Sequence, residues 1–138
     1  MKILLINGPN LNLLGKREPQ IYGDISFEDY FIKLQFNFKD VELSHVQSNH
    51  EGDLIDHLQQ ADQDFNAVVI NAGGLSHTSI ALGDTIKAIS IPVVEVHISN
   101  TFSREAYRHH SYLSAGAKGV IVGFGLNSYK LAITALLP

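Results

Sequence analysis

The side chains of this sequence best suited to moving protons are Tyr22, His97 and the charged groups beside them. Tyr22 lies five residues after Arg17 in the stretch LLGKREPQIYGD, residues 13–24. A free tyrosine titrates near ~10 and is a weak base at neutral pH. A guanidinium beside it stabilises the phenolate and lowers that value. A loop that closed over a ligand would strengthen the effect by excluding water. His97 closes the run PVVEVHI, residues 92–98. Glu95 precedes it by two and shares its face of an extended strand, where a carboxylate orients an imidazole and keeps it cationic. His77 follows the glycine pair Gly73–Gly74. Asn10 and Asn71, with the backbone amides of Ile98 and Ser99, are neutral donors for a developing oxyanion. Arginine forks suit carboxylates, and the chain has only three, Arg17, Arg104 and Arg108. A tyrosinate base, a histidine acid, oxyanion donors and carboxylate-binding groups fit one kind of reaction. A proton leaves the carbon beside a carbonyl in a small hydroxylated acid, and an acid-assisted leaving group then departs.

Singly, each residue has a plainer explanation. Tyr22 could be an aromatic packed on its own loop, and His77 or His97 a hydrogen-bonded structural histidine. Arg104 and Arg108 could pair with Glu105 and its neighbours on a helix surface, Arg104 at least as readily as it could meet a ligand. The case for chemistry rests on convergence, so the question becomes which elements bring these residues together.

Continuous apolar runs mark strands buried on both faces. KILLI (2–6), AVVI (67–70), PVVEVHI (92–98) and GVIVG (119–123) are such runs, and VELSHV (41–46) is a weaker one. Helical patterns separate them. Phe27, Tyr30, Phe31, Leu34 and Phe38 share a face, with Ser26 and Asp29 in capping-box spacing. Leu54, Ile55, Leu58 and Ala61 form a second stripe, with Ser48 and Glu51 in the same spacing. A third helix is expected from His77 or Thr78 to Ile89, weakened by Gly83. A short fourth is expected over 103–113, and a last after Asn127. Five strand–helix repeats predict an α/β flavodoxin-like three-layer sandwich: a five-stranded parallel sheet in the order 2-1-3-4-5. One domain is expected over 1–138. In this topology ligands bind beyond the carboxyl ends of the strands, at the switch point between strands 1 and 3. NGPN (7–10), NAGGLSHTS (71–79), HISNT (97–101) and GFGLNS (123–128) all arrive there.

Composition removes other classes. With 138 residues and a formal net charge of −4, the chain lacks the basic footprint of a nucleic-acid binder. It has no cysteine, hence no disulfide, thiolate metal site or cysteine nucleophile. No pair of histidines has helical metal-ligand spacing with a carboxylate, and no metal is expected. No run is long enough to cross a bilayer, and MKILLING is too short for a signal peptide, so a cytoplasmic location is expected. The end of strand 1 lacks the acidic residues of a receiver domain, the Ser/Thr loop of a flavodoxin and the lysine of a P-loop.

The segments INGPNLNLLGKREPQIYG (6–23), INAGGLSHTSIAL (70–82), PVVEVHISN (92–100), REAYRHHSY (104–112) and GVIVGFG (119–125) closely resemble the type II 3-dehydroquinate dehydratases. The likeness spans nearly the whole chain, in the family's order and spacing. It implies an anti elimination of water from 3-dehydroquinate, giving 3-dehydroshikimate in the shikimate pathway, with no metal, cofactor or lysine imine. It implies that Tyr22 is the base and that Arg17 lowers its pKa. Asn10 would stabilise the enolate, His97 would be the acid and Glu95 would hold its imidazole. Asn71, Gly73, His77, Ile98, Ser99 and Arg108 would bind substrate. The family is typically a homododecamer of trimers, in which Asp84 would reach a neighbouring subunit's site. One departure is Gly83, where the family commonly has arginine. The long connection after strand 1 would be an active-site lid at about 14–24, hinged at Gly15 and Gly23.

Two other classes fit parts of the pattern. GFGLNS partially matches a glycine-rich phosphate loop, so a silent flavodoxin-like module for a small anion or nucleotide is one alternative. An assembly protein with a vestigial crevice is the other. Bound flavin or nucleotide would mark the first, activity surviving Tyr22→Phe and His97→Ala would undermine the dehydratase mechanism, and the intact set of polar groups argues against the second.

Overall fold

The apolar runs become the strands of one parallel sheet. In the computed structural model, which describes residues 1–138, β1 (Lys2–Asn7), β2 (Glu42–Gln47), β3 (Ala67–Asn71), β4 (Val93–His97) and β5 (Gly119–Val122) lie in the order β2-β1-β3-β4-β5. This is the flavodoxin-like order expected from the sequence. Register is parallel throughout, with Asn7 opposite Asn71 and Glu95 opposite Val120.

The unbroken apolar character has a direct cause. Ile3, Leu5, Val69, Val94 and Val96 face one layer of helices, α2 (Phe27–Asn37) and α5 (Asn127–Leu136). Leu4, Ile6, Val68, Ile70 and Val93 face the other, α3 (Glu51–Asp64) and α4 (Ile80–Ala88). Alternate side chains meet opposite cores, so neither parity can be polar. Tyr129 of α5 and Phe27 of α2 are fully buried against each other, rings at 61° and centroids 5.0 Å apart. No helix is long and apolar enough to cross a membrane.

The structure corrects several local expectations. Helix α2 is capped as expected, with Ser26 Oγ accepting from the Asp29 amide at 3.2 Å. Helix α3 has no Ser48–Glu51 box. Ser48 Oγ instead accepts from the His50 amide and donates to Asp53 at 2.6 Å, and the helix has no side-chain cap. Helix α4 starts at Ile80, because residues Gly73–His77 form a tighter 3-10 turn and Ser79 caps the helix through the Leu82 amide. The short helix expected over 103–113 is absent. Thr101–Ser103 and Ala106–Arg108 are separate 3-10 turns, because extended backbone at Arg104 and Glu105 interrupts the helical ladder.

Gly83 is explained by packing. A Cβ there would stand 2.4 Å from the Tyr112 carbonyl oxygen, so only glycine lets the 109–113 segment lie this close to α4. The long connection after β1 contains one helical turn, α1 (Pro19–Tyr22). It is flanked by Gly15 and Gly23 at φ of 90° and 87°, a region open to glycine at little cost.

Candidate functional site

A cavity of about 140 Å³ opens beyond the carboxyl ends of β1, β3 and β4. Only three of its fifteen lining residues are hydrophobic, so it suits a polar ligand. Asn10 follows β1, Asn71, Gly73 and His77 follow or end β3, and His97, Ile98 and Ser99 end β4; all line it. The connection after β1 brings Arg17 and Tyr22 to its rim, and the turns after β4 bring Arg104 and Arg108. Glu95 lies directly behind His97. Asp84 is exposed on α4 and is not part of this cavity.

Asn10 adopts a left-handed backbone, φ 70°, which ordinarily costs a non-glycine residue free energy. Its amide donates to Asn49 Oδ1 at 3.1 Å, and Gln47 Nε2 donates to the neighbouring Gly8 carbonyl at 3.2 Å. The segment after β2 thus holds Asn10 in place.

The Tyr22 hydroxyl accepts a hydrogen bond from an Arg104 guanidinium nitrogen at 2.8 Å, and the same nitrogen donates to Ser99 Oγ at 3.0 Å. Arg17 lies over the Tyr22 ring, 4.8 Å from its centroid, and pairs loosely with Glu18 at 3.7 Å. Two cations therefore serve one phenol, and the one on its oxygen is Arg104. The surface pair weighed for both later arginines forms only at Arg108, whose Nε donates to Glu105. The extended backbone after Ser103 turns Arg104 inward instead.

Glu95 is fully buried. One carboxylate oxygen accepts from His97 Nε2 at 2.7 Å and from Ser111 Oγ, and the other accepts from Ser114 Oγ. Burial alone would raise this carboxyl. The hydrogen bonds from His97, Ser111 and Ser114 outweigh it and hold Glu95 below the ordinary carboxylate range. With Nε2 donating to Glu95, Nδ1 is the ring nitrogen of His97 left for proton exchange.

His77 Nδ1 lies 2.7 Å from the His110 carbonyl, which can only accept, so the proton sits on Nδ1. The His77 and His97 rings are stacked, centroids 5.7 Å apart. Burial pushes the His77 pKa down, against the pull of the His110 carbonyl, and the nearby His97 and Arg108 charges add to the downward push. His77 is therefore a neutral partner beside His97. No three His, Cys, Asp or Glu side chains come close enough together to hold a metal ion.

Several contributors were not read from the sequence. Ser111 and Ser114 carry no motif beyond their place in REAYRHHSYLS. Asn7 showed one signal, a polar residue ending a strand buried on both faces. Tyr129 showed only its position on the apolar stripe of the last helix. The glycine-rich segment also has partners of its own. The amides of Gly123, Phe124 and Gly125 donate to the His97 carbonyl, Ser128 Oγ and the Ile98 carbonyl, so these three are not free to cradle a phosphate.

The class so defined is a flavodoxin-like protein with a polar cavity at its switch point, lined by a tyrosine, two histidines and three arginines. Known proteins narrow it. Residues 1–137 match the family described as dehydroquinase class II. The chain is 57% identical to a 3-dehydroquinate dehydratase of Exiguobacterium sp., covering 99% of this chain and 94% of that one. It is 53% identical to a catabolic 3-dehydroquinase of Phaeosphaeria nodorum, over 95% of this chain and 88% of the other. Among solved structures, a type II dehydroquinase from Butyrivibrio crossotus superposes with a TM-score of 0.93 at 45% identity, covering 99% and 97% of the two chains. One from Propionibacterium acnes superposes at 0.94 with 41% identity, covering 98% and 94%. The chain belongs to the class II dehydroquinase family and is an enzyme of the hydro-lyase class.

Proposed function

We propose that this enzyme is a type II 3-dehydroquinate dehydratase, which removes water from 3-dehydroquinate by anti elimination to give 3-dehydroshikimate in the shikimate pathway. Ionised Tyr22 takes the proton from the carbon beside the ketone. The electron pair moves onto the carbonyl oxygen, and the resulting enolate is stabilised by Asn10, directly or through an ordered water. The carbonyl then reforms, a carbon–carbon double bond is made, and the hydroxyl leaves as water on a proton from His97. One proton and one hydroxyl are lost, and Tyr22 and His97 exchange protons with solvent to return to their starting states. The observation that carries this reading is that one cavity holds a tyrosine oxygen bonded to a guanidinium and an imidazole backed by a buried carboxylate.

Arg104 stabilises the phenolate through a charge-assisted hydrogen bond, and Arg17 adds a second positive charge over the ring. Asn71, Gly73, His77, Ile98, Ser99 and Arg108 bind the substrate's carboxylate and hydroxyls. The connection at about 14–24 acts as a lid, swinging on Gly15 and Gly23, so that closure brings the base and Arg17 onto the substrate together. The enzyme works in the cytoplasm as a homododecamer, a tetramer of trimers. Asp84, exposed on α4 and outside its own cavity, completes a neighbouring subunit's site.

The test is direct. Purified protein given 3-dehydroquinate should generate the near-ultraviolet absorbance of an enone. Tyr22→Phe should lower kcat by about 10²–10⁴-fold while changing KM little, because the lost proton acceptor acts only on the way to the transition state. No absorbance from folded protein, or a Tyr22→Phe variant with normal turnover, would sink the reading.

A further inference from the structure

The site rests on a buried hydrogen-bond chain whose far members, Tyr129, Asn7 and His45, have no part in the mechanism above. Gly73 N donates to Asn71 Oδ1 at 3.1 Å, and Asn71 Nδ2 meets the Tyr129 hydroxyl at 2.9 Å. That hydroxyl meets Asn7 Oδ1 at 2.8 Å, and Asn7 Nδ2 lies 3.3 Å from His45 Nε2. Asn7 and Tyr129 are fully buried, and Asn71 is 3% exposed.

The polarity of this chain is set at one end. A carboxamide can face either way, and a hydroxyl can donate to either neighbour. A backbone N–H cannot be reversed. Gly73 N therefore requires Asn71 Oδ1, which turns Nδ2 toward Tyr129. The hydroxyl must then accept from Asn71 and donate to Asn7 Oδ1. Asn7 Nδ2 must in turn donate to His45, which fits a neutral imidazole with its proton on Nδ1. Any reversed member would leave a buried donor or acceptor without a partner.

We infer that Tyr129 is a positioning residue for substrate binding: Gly73 N sets which way the Asn71 carboxamide faces, and the Tyr129 hydroxyl tethers its Nδ2 end, so that Asn71 offers the cavity its one remaining N–H. The cavity face of Asn71 is then a fixed donor for a ligand oxygen. Without the Tyr129 hydroxyl, Gly73 N alone holds the carboxamide, and its Nδ2 end is no longer tethered. The kinetic consequence rests on the dehydratase reading; the orientation itself does not.

Tyr129→Phe removes one oxygen and keeps the ring on Phe27. Two measurements test the inference. In ligand-free protein labelled with ¹⁵N, the Asn71 side-chain amide should change chemical shift and exchange with solvent at least tenfold faster in the variant. In turnover of 3-dehydroquinate, KM should rise about 5- to 20-fold with kcat held within about threefold, the pattern of lost uniform binding. Tyr129→Phe should add nothing to KM in an Asn71→Ala background. A purely structural role would instead lower kcat with the active fraction and leave KM alone. Should Tyr129→Phe fail to fold, Asn7→Leu frees the Tyr129 hydroxyl to rotate and should also speed Asn71 amide exchange. An unchanged Asn71 amide in a folded variant, or additive KM effects, overturns the inference. If no protein turns over 3-dehydroquinate, the dehydratase reading fails, and the amide measurement still decides this one.

Discussion

Two arginines approach Tyr22, and their geometry predicts unequal importance. Arg104 places a guanidinium nitrogen 2.8 Å from the hydroxyl oxygen, where the negative charge of a phenolate resides. A hydrogen bond to a charged group contributes ~1.5–3 kcal/mol, and each ~1.4 kcal/mol of lost transition-state stabilisation is tenfold in rate. Arg104→Leu should therefore lower kcat about 10- to 150-fold. Arg17 meets only the ring face, at 4.8 Å, with its side chain 35% exposed. A cation–π contact at an exposed site is worth ~0.5–1 kcal/mol, so Arg17→Leu should cost about 2- to 5-fold. The assay is initial-rate formation of the enone at saturating substrate, with circular dichroism to confirm that each variant is folded. Arg104→Lys keeps the charge without the planar fork and should recover part of the loss. A larger loss from Arg17→Leu than from Arg104→Leu would refute the argument. It would mean that the hydroxyl exchanges one guanidinium for the other when substrate binds.

Two further outcomes follow from buried contacts. Glu95→Gln removes the carboxylate behind His97 and should lower kcat about 10- to 100-fold. Because Glu95 is held below its ordinary value of 4.5, its pairing stabilises the fold above about pH 4.5, and that stabilisation fades as pH falls through the depressed value. The variant's melting temperature should therefore fall less steeply than wild type as pH drops below about 4.5; parallel curves would deny Glu95 that role. Gly83→Ala should destabilise the protein by about 1–3 kcal/mol, read from urea unfolding, since its Cβ meets the Tyr112 backbone rather than a movable side chain. A neutral or stabilising result would show that the 109–113 segment yields.

Much of the architecture was legible in the primary structure, for a reason that β1 illustrates. Ile3 to Ile6 meet helices on both sides of the sheet, so burial erases alternation and leaves an unbroken apolar run. Strands of that kind, separated by helical stripes, leave few alternatives to a doubly covered parallel sheet. The sheet order in turn placed the polar segments after β1, β3 and β4 in one crevice, because a parallel sheet carries all its strand carboxyl ends on one edge. The pairing of Glu95 with His97 was legible too, as two positions on one face of one strand.

What only the tertiary structure decided are contacts between residues far apart in sequence, or in turns without periodicity. Arg104 and Arg108 flank the same Glu105, and nothing in REAYR says which one pairs with it. The extended backbone at Arg104 sends one to Tyr22, 82 residues away, and leaves the other to Glu105. Gly83 read as a flaw in a helix, and its reason is the carbonyl of Tyr112 lying against it. Tyr129 was not singled out in the sequence. Its hydroxyl lies between Asn7 and Asn71, at separations of 122 and 58 residues, because a buried polar atom must find partners wherever the fold brings them. Periodicity encodes which face is buried; it carries no record of what a buried face will meet.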